Sequence, residues 1–455
     1  MVFSSAGQMP EVPAEAVVRV SGGHRLRGRY RVQGSKNAAL HLVAAALLAD
    51  APVTVRRAPD IVDLFIYERL LQYSGWNAAM DPNRSTFTLE PPAQIRHEVH
   101  PVLGGLVRTT PVLAAALLAR TGRVTWPGAG GDAFCQRPTD RHEAVMRAAG
   151  AVVEPYGAGF TTTCPAGLRP FRVDVATPFG ASRGATVTAL LLAARARGSS
   201  LITNPSNEPE VRETVAFLAQ RGILVDQDEE GLHVTGSDWI AGGEVDVPGD
   251  RDEAATVICA TAATGGEVHL EGIALGELTE GLTKALTDAG VSLSAAGAQC
   301  VDAKSDGPLH GVEAVTGEGL LPSNAAPPLA ALLTQADSDS VLTEGVYPYR
   351  DTHVAPLSRF GADISSCGPV IRIRGGTQLR ATNAEAGDIR GAAAVIIAAL
   401  TARGTSLLHV GHPVWRGYQH LTSGLQALGA DLAVEHQQDR PDAAPNDLLS
   451  RRDLS

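Results

Sequence analysis

Six stretches of the sequence share one order of predicted elements, and this repeat constrains the fold more than any other feature. Each has an Ala/Leu-rich helical run, a glycine or small polar turn, a β-branched strand and a second helix that stops near a glycine. One example is "LLLAARARGSSLITNPSNEPEVRETVAFLAQRGILV" from residue 190. The copies start about 70 residues apart, which is too long for a solenoid and fits a supersecondary unit of strands and helices. Chance rhythm in an Ala-rich chain does not explain six copies.

The repeat predicts an α/β (or α+β) chain of two similar domains, each built from three units. A length of 455 residues agrees, since one hydrophobic core rarely serves so long a chain. A Gly/Pro turn separates the third unit from the fourth at 242–255 and marks the expected hinge. The strand-like segment before the first unit, "AVVRVSGGHRLRGRYRVQG", is assigned to the C-terminal half. A cleft between two lobes follows from this arrangement.

Composition excludes several classes of partner. The net charge of −11 argues against nucleic acid and against an anionic membrane surface. The five cysteines are scattered without CxxC spacing, so neither a disulfide framework nor a zinc site is expected. No basic leader precedes an apolar run, and the most apolar stretches are shorter than the 18 or so residues of a membrane span. These features predict a cytoplasmic protein.

Basic side chains at predicted helix starts are the informative ones in so acidic a chain. Free backbone N–H groups and the helix dipole favour anions at such positions. A single cation there is ordinarily a cap or a solvated charge. Several at equivalent points of repeated units predict a cleft that clamps a phosphate and a carboxylate, and the candidates are Lys36, Arg108, Arg137, Arg350, Arg390 and Arg416.

Five stretches carry a family resemblance: "SKNAAL", "GRVTWPGAGGDAFCQRPTDRH", "RGATVT", "NEPEVRETVAFL" and "WRGYQHL". In this order, from about residue 17 to 435, the chain resembles the enolpyruvyl transferases, and among them the branch that uses UDP-N-acetylglucosamine. The resemblance implies two inside-out, barrel-like α/β domains, each of three βαβαββ-type units. Its implied boundaries are a C-terminal-type domain of 17–34 plus 247–436, an N-terminal-type domain of 35–246, and flexible tails at 1–16 and 437–455.

The resemblance also implies the reactants and the site. The two domains would close over phosphoenolpyruvate and a hydroxyl-bearing uridine nucleotide, with no metal and no other cofactor. Family positions for phosphoenolpyruvate are matched by Lys36, Arg137, Arg350, Arg390 and Arg416. Positions facing the nucleotide sugar are matched by Asn37, Arg108, Pro138, Thr139 and Asp140. Further substrate-binding positions are Ser182, Arg183, Gly184, Asn324 and Val346. Oriented charge would stabilise the cationic centre that forms at C2 once C3 is protonated.

The glycine-rich loop "PGAGGDAFCQRPTD" departs from the family at its reactive position. Where the family has a cysteine directly after Gly-Gly, this chain has Asp132, and Cys135 lies three residues further on. A carboxylic acid can protonate C3 as a thiol can. We therefore expect Asp132 to be the catalytic acid and Cys135 to be a packing residue, which makes the protein resistant to fosfomycin.

Two further departures concern the acceptor. The family's "FPTD" reads "LPSN" at 321–324, so the aspartate assigned as the base is Asn324, and an amide accepts no such proton. Asp250 and Glu210 are the candidate replacements. In "GASRGAT", Gly180 stands where a diphosphate-binding lysine is expected, and Arg183 follows three residues on.

These departures leave the function open among three alternatives. The first is enolpyruvyl transfer to UDP-N-acetylglucosamine in peptidoglycan synthesis. The second is transfer to a UMP-like acceptor in nucleoside-antibiotic biosynthesis, which the departures at 180 and 324 fit better. The third is a catalytically weak nucleotide-binding regulator. Asp132, Lys36, Asn324 and Arg416 are the predicted catalytic positions of the active alternatives.

Overall fold

The computed structural model describes residues 16–305 and 307–436. Their buried apolar side chains form two separate clusters, one drawn from residues 38–247 and the other from residues 18–32 and 254–432. We call these the first and second halves. The domain boundaries stay a prediction, which the two clusters support. The predicted tails lie outside the described residues except for Ala16, which begins a strand.

The first half repeats the order helix, strand, helix and strand hairpin three times. After β1 (Ala16–Ser21) and β2 (Arg27–Arg31), its elements are α1 (Lys36–Ala46), β3 (Val53–Arg56), α2 (Val62–Tyr73), β4 (Asn77–Asp81), β5 (Thr86–Glu90), α3 (Pro101–Gly104), α4 (Thr110–Thr121), β6 (Arg123–Pro127), α5 (Asp140–Ala148), β7 (Val152–Tyr156), β8 (Gly159–Thr163), β9 (Arg172–Asp174), β10 (Ala176–Thr177), β11 (Gly180–Ala181), α6 (Arg183–Ala193), β12 (Ser199–Thr203), α7 (Pro209–Ala219), β13 (Leu224–Gln227), β14 (Leu232–Thr235) and β15 (Gly243–Asp246).

The second half repeats this order twice, and in its third unit β25 pairs with β1 from the start of the chain instead of forming a hairpin. Its elements are α8 (Arg251–Ala263), β16 (Glu267–Glu271), a 3₁₀ turn (Leu275–Leu278), α9 (Glu280–Asp288), β17 (Ser292–Gly297), β18 (Cys300–Lys304), β19 (Glu313–Val315), α10 (Ala326–Leu333), β20 (Ser340–Thr343), α11 (Val354–Arg359), β21 (Ile364–Cys367), β22 (Val370–Ile373), β23 (Asn383–Glu385), α12 (Ile389–Thr401), β24 (Thr405–His409), α13 (Gly411–Gly417), α14 (Leu421–Ala427) and β25 (Asp431–His436).

Five four-stranded sheets share one pairing pattern. In β15–β3–β5–β4, a parallel pair of strands is extended by two antiparallel strands, and the same pattern recurs in β9–β12–β14–β13, β2–β16–β18–β17, β19–β20–β22–β21 and β23–β24–β1–β25. The sheet β6–β8–β7 has three antiparallel strands. The strands at the start of the chain pair within the second half, β1 between β24 and β25 and β2 beside β16. The sheets stay open rather than closing into barrels.

The first helix of each unit forms the core of its half. Helices α1, α4 and α6 pack in the first half and α8, α10 and α12 in the second, each nearly buried on all sides. Their Ala-rich sequences allow such packing because small side chains let helices approach closely while Leu and Val fill the gaps. The predicted α/β fold of two three-unit halves, with buried helices inside and sheets outside, is confirmed.

Two extended segments cross between the halves side by side. Gly34 pairs with Gly249, Ser35 N donates to Pro248 O at 2.8 Å, and Asp250 N donates to Gln33 O at 3.0 Å. A Cβ on Gly34 would lie 1.8 Å from the carbonyl oxygen of Arg57, so the crossing requires glycine there. The crossing places the starts of α1 and α8 next to each other at the junction of the halves.

Candidate active site

One cavity of about 880 Å³ lies where the two halves meet. Most of the site residues predicted from the sequence line it, namely Lys36, Asn37, Arg108, Asp132, Arg137, Pro138, Asp140, Ser182, Arg183, Gly184, Asn324, Val346 and Arg390. Thr139, Arg350 and Arg416 are not among its lining residues. Arg350 and Arg416 contact residues that do line it, and Thr139 stands between two such residues in the sequence. The cavity has the size and position of a small-molecule site between domains.

The glycine-rich loop occupies residues 128–139, between β6 and α5. Gly131 has φ of +102°, and a Cβ there would lie 2.7 Å from the Cβ of Arg108. Both its conformation and its close approach to Arg108 exclude larger residues. The loop is thereby folded back against the segment before α4, which directs Asp132 toward the second half.

Asp132 connects the loop to the second half. Its carboxylate oxygens accept from the backbone N–H of Ile389, the first residue of α12, at 3.1 and 3.3 Å. Arg137 Nη2 donates to the Asp132 carbonyl oxygen at 2.6 Å and fixes the loop from within. Asp132 therefore faces the cavity between the halves, where the predicted acid has to be. Its role as the acid stays a prediction.

Phe134 and Cys135 follow Asp132 along the cavity wall. The ring of Phe134 lies 4.0 Å from the guanidinium carbon of Arg350 and meets Tyr347 edge-on at 5.1 Å between centroids. Burial raises the pKa of the half-buried Cys135 thiol, which keeps the thiol protonated. The loop is thus anchored on the second half by an apolar ring set against a buried cation.

The Asp63 cluster joins Lys36, Asp63 and Arg416. Asp63 accepts from Lys36 Nζ at 2.9 Å through one oxygen and from Arg416 Nε at 2.8 Å through the other. Burial alone would raise the pKa of Asp63, yet the two cations hold it below its usual value. Burial lowers the pKa of Lys36, with Asp63 acting in the opposite direction. Cations from the two halves are therefore brought together by one carboxylate.

Arg416 differs from its sequence-based description in one respect. It lies in the last turn of α13, not at the head of a helix, and its Nη2 donates to Leu106 O at 3.0 Å. The position still places a second-half cation against the first half, because α13 packs beside α2.

The Asp252 cluster joins Asn37, Asp252, Asn324 and Arg390. Oδ2 of Asp252 accepts from Asn324 Nδ2 at 2.7 Å, from Arg390 Nη2 at 3.0 Å and from Asn37 Nδ2 at 3.5 Å. Asn324 Oδ1 in turn accepts from Arg350 Nη1 at 2.9 Å. All four members of the cluster line the cavity. The carboxylate of Asp252 is thus hydrogen-bonded to Asn324, the position where the family resemblance predicts an aspartate.

Neither Asp250 nor Glu210 is placed to replace the expected aspartate. Asp250 caps α8 by accepting from the N–H groups of Asp252 and Glu253, and it also accepts from Lys36 N. Glu210 lies between Arg183 and Arg251, at 3.4 and 3.3 Å. Both side chains are buried, and neither lines the cavity. The sequence-based choice of these two carboxylates is therefore not supported.

The segment at 180–184 forms the start of α6. Gly180 is exposed with φ of +101°, Ser182 caps the helix by accepting from Ala185 N, and Gly184 packs so closely on His142 that a Cβ would lie 2.8 Å from its ring. Arg183 is held by Glu210. The charge of the lysine expected at position 180 is therefore not replaced by Arg183, because Arg183 is already paired with a carboxylate.

The arginines of the first-half wall lie close to one another. Arg108 Nη2 donates to Pro138 O at 2.9 Å, and burial together with neighbouring Arg137 lowers the pKa of Arg108 to about 10. Thr139 Oγ1 donates to Glu143, and Asp140 begins α5 at the cavity edge. Two adjacent guanidinium groups favour an anion at this wall.

Buried donors near the Asp252 cluster lack partners among the described residues. They are Nε and Nη2 of Arg350 and Nη1 of Arg390. Leaving a buried charged donor unpaired costs free energy that a bound anion would recover. The second-half wall is therefore prepared to bind a phosphate or carboxylate.

Three residues of the site were missed in the sequence. Asp63 and Asp252 were passed over because a carboxylate at a helix start is ordinarily a stabilising charge, and Phe134 because an apolar residue is ordinarily a core residue. Asp252 carried one usable signal, as it lies at the predicted hinge. Among residues 16–305 and 307–436, no group of His, Cys, Asp and Glu is arranged to hold a metal ion, and no helix is long and apolar enough to cross a membrane.

Comparisons with known proteins identify the family and the fold. Residues 20–425 match the EPSP synthase (3-phosphoshikimate 1-carboxyvinyltransferase) family. The UDP-N-acetylglucosamine 1-carboxyvinyltransferase 3 of Symbiobacterium thermophilum is 33% identical over 424 residues, covering 92% of this chain and 98% of that protein. The enolpyruvyl transferase NikO from Streptomyces tendae superposes with a TM-score of 0.85 at 26% identity, over 93% of this chain and 99% of NikO. The EPSP synthase of Acinetobacter baumannii shares the fold, with a TM-score of 0.72 at 19% identity over 92% and 100% of the two chains.

Proposed function

Because the chain belongs to the EPSP synthase (3-phosphoshikimate 1-carboxyvinyltransferase) family, we propose that it transfers the enolpyruvyl group of phosphoenolpyruvate to a hydroxyl of a uridine nucleotide and releases phosphate. One observation carries this proposal: a single cavity between the halves is lined by Lys36, Arg137 and Arg390 together with Asp132. These groups match the reactants, which are an anion with a phosphate and a carboxylate and an alcohol that adds to it.

Phosphoenolpyruvate fits the cationic side of the cavity. Arg390, whose Nη1 lacks a partner among the described residues, would hold one of its anionic groups, and Lys36 the other, once Lys36 exchanges part of its contact with Asp63. Arginine suits this purpose because its planar fork matches carboxylate and phosphate oxygens. Binding would also relieve the charge repulsion among the arginines.

The reaction proceeds by addition and elimination. Asp132 donates a proton to C3 of phosphoenolpyruvate while the acceptor oxygen bonds to C2, and the acceptor's hydroxyl proton passes to a base. The C2–O bond to phosphate then breaks, C3 returns its proton to Asp132, and the hydroxyl proton leaves with inorganic phosphate. The clustered cations stabilise the anionic groups throughout, which is electrostatic catalysis in a preorganised site.

The segment at 180–184 carries less unpaired positive charge than the family resemblance predicts, and this bears on how many phosphates the acceptor nucleotide has. Gly180 carries no charge, and Arg183 is already paired with Glu210. This arrangement favours a uridine nucleotide with fewer phosphates than a nucleotide diphosphate sugar carries. The named relatives nevertheless use UDP-N-acetylglucosamine, so both acceptors belong in the test.

The experiment measures phosphate release from phosphoenolpyruvate with UMP, with UDP-N-acetylglucosamine and with neither. We expect release only with a nucleotide, faster with UMP, and a nucleotide product one enolpyruvyl group heavier by mass spectrometry. Release with UDP-N-acetylglucosamine alone would contradict the choice of acceptor. Nucleotide binding without release in any arm would contradict the proposed function and favour a regulator.

Fosfomycin tests the loop. In the family it alkylates the loop cysteine, and a carboxylate at position 132 is a far poorer nucleophile toward an epoxide. We expect the wild type to resist fosfomycin and Asp132→Cys to be inactivated while keeping part of its turnover. Peptide mass mapping checks this, and a fosfomycin adduct on Cys135 of the wild type would contradict the assignment of Asp132 as the working residue of the loop.

A further inference from the structure

We propose that Asp252 is the catalytic base of the transfer, taking the acceptor's hydroxyl proton in place of the aspartate that position 324 lacks. The proposal rests on the proposed function and names a group that it leaves open. Its basis is that Asp252 and Asn324 are hydrogen-bonded to each other in the wall of the reaction cavity.

One of the two carboxylate oxygens of Asp252 is available to accept a proton. Its Oδ2 receives the three donors of the cluster, from Asn37, Asn324 and Arg390, whereas Oδ1 accepts no hydrogen bond from the described residues. The side chain is only 4% exposed, so the cavity is its route to a ligand. A carboxylate anchored through one oxygen is held in a fixed orientation with the other available, as a general base must be.

Three other carboxylates at the junction of the halves are engaged. Both oxygens of Asp63 contact cations, and both oxygens of Asp132 accept from one backbone N–H group. Asp250 caps a helix. Of these four carboxylates, Asp252 is the one that is hydrogen-bonded to Asn324 and engaged through one oxygen only.

The amide at 324 fits a carboxylate at 252. Two carboxylates at 2.7 Å would repel each other, and one would have to be protonated. An asparagine instead donates to Asp252 through Nδ2 while its Oδ1 accepts from Arg350. The pair therefore carries one negative charge, positioned at 252, and Asn324 orients it.

In the proposed step the acceptor's O–H bond breaks as its oxygen bonds to C2, and the proton passes to Oδ1 of Asp252. Asp132 supplies the separate proton that C3 gains. When phosphate leaves, Asp252 releases its proton to it, and both carboxylates return to their starting state. No oxidant, reductant or metal is needed.

The test compares three variants with the wild type. Asp252→Asn removes the base with little change of shape, and the double variant Asp252→Asn/Asn324→Asp moves the carboxylate to the neighbouring position. Asp246→Asn is the matched control, since Asp246 is an exposed carboxylate paired with Arg56 away from the cavity. Phosphate release gives kcat and KM for each substrate, and thermal unfolding checks that each variant is folded.

We expect Asp252→Asn to lower kcat by about 100-fold or more, as loss of general base catalysis does. The double variant should regain at least about tenfold of that loss, because the carboxylate is restored to the same wall. The control should match the wild type.

Three outcomes would overturn the assignment. They are a near-normal kcat in Asp252→Asn, a rise only in KM for phosphoenolpyruvate, which would make Asp252 a mere partner of Arg390, and a double variant no more active than the single one. Wild-type protein that releases no phosphate with any uridine nucleotide overturns the proposed function and this inference together. If the wild type releases phosphate and Asp252→Asn is equally active, only the inference about Asp252 is overturned.

Discussion

The Asp63 and Asp252 clusters lie at the same junction, and each is centred on a carboxylate. They differ in how many oxygens of that carboxylate are engaged and in the groups that engage them. Asp63 uses both oxygens on cations, Lys36 from its own half and Arg416 from the other. Asp252 is bound through one oxygen only, and two of its three donors are neutral amides.

This difference separates binding from chemistry. A carboxylate saturated by two cations is held ionised and cannot readily take a proton, so the Asp63 cluster positions charge for a substrate anion. A carboxylate with one unengaged oxygen can exchange a proton with a ligand. The comparison supports the proposals that Lys36 and Arg416 bind phosphoenolpyruvate and that Asp252 transfers a proton, alongside the proposed acid Asp132.

The largest effect is expected at Asp132, on the chemical side of the comparison. Asp132→Asn should lower kcat by about 100- to 10,000-fold because an amide cannot protonate C3, while both substrates still bind. Phosphate release measures kcat, and calorimetry measures binding. Asp302→Asn, an exposed carboxylate beside His269, is the control. A variant with wild-type kcat would remove Asp132 from the mechanism.

The next effect is one of stability at Asp63. Asp63→Asn should lower the free energy of unfolding by about 3 kcal/mol, because breaking a buried ion pair leaves Lys36 and Arg416 uncompensated. The folded-state pKa of Asp63 lies below its unfolded value, so its stabilisation is complete above the unfolded pKa of about 3.9 and is lost as pH falls through the folded pKa. Urea unfolding of both proteins should show a constant difference from pH 8 to 5 that shrinks below pH 4. A difference that vanishes already at pH 6 would contradict this account.

A smaller effect is expected for the cations of the Asp63 cluster. Lys36→Ala and Arg416→Ala should each weaken phosphoenolpyruvate binding by about 2 kcal/mol, roughly 30-fold, as loss of a desolvated charge contact does. Calorimetric titration measures the affinity, with Lys284→Ala as a control because Lys284 is exposed and pairs only with Asp288. Unchanged affinity in both variants would reject the binding role of the cluster.

The smallest effect concerns the loop anchor. Phe134→Ala removes the ring that covers Arg350, a cation–π contact of about 1 kcal/mol, so the loop should open about fivefold more often. Hydrogen–deuterium exchange of the loop amides should rise by the same factor if closing is faster than exchange. Phe65→Ala, which removes the corresponding contact with Arg69, is the matched control. Equal exchange of the loop amides in both variants would mean that Phe134 does not anchor the loop.

The repeat predicted the fold because each unit carries its own local pattern of buried helix, turn and strand. The cations of the site could also be predicted from the sequence, since Lys36 and Arg390 lie in the first turns of helices at the junction of the halves. The carboxylates that pair with these cations could not be predicted. Asp63 and Asp252 meet their cations only through contacts between distant elements, and no local pattern encodes such a meeting. Helix α13 shows the same limit, because Arg416 reaches its place through packing rather than at a helix start.

In the proposed reaction the C2–O bond of phosphoenolpyruvate breaks in this cavity as the enolpyruvyl group is transferred. The direct measurement uses phosphoenolpyruvate labelled with ¹⁸O at the oxygen that bridges C2 and phosphorus, together with a uridine nucleotide. We expect the label to leave with inorganic phosphate while the nucleotide gains an enolpyruvyl group. Label retained in pyruvate, with phosphate free of ¹⁸O or transferred to the nucleotide, would show cleavage of the P–O bond and contradict the proposed reaction.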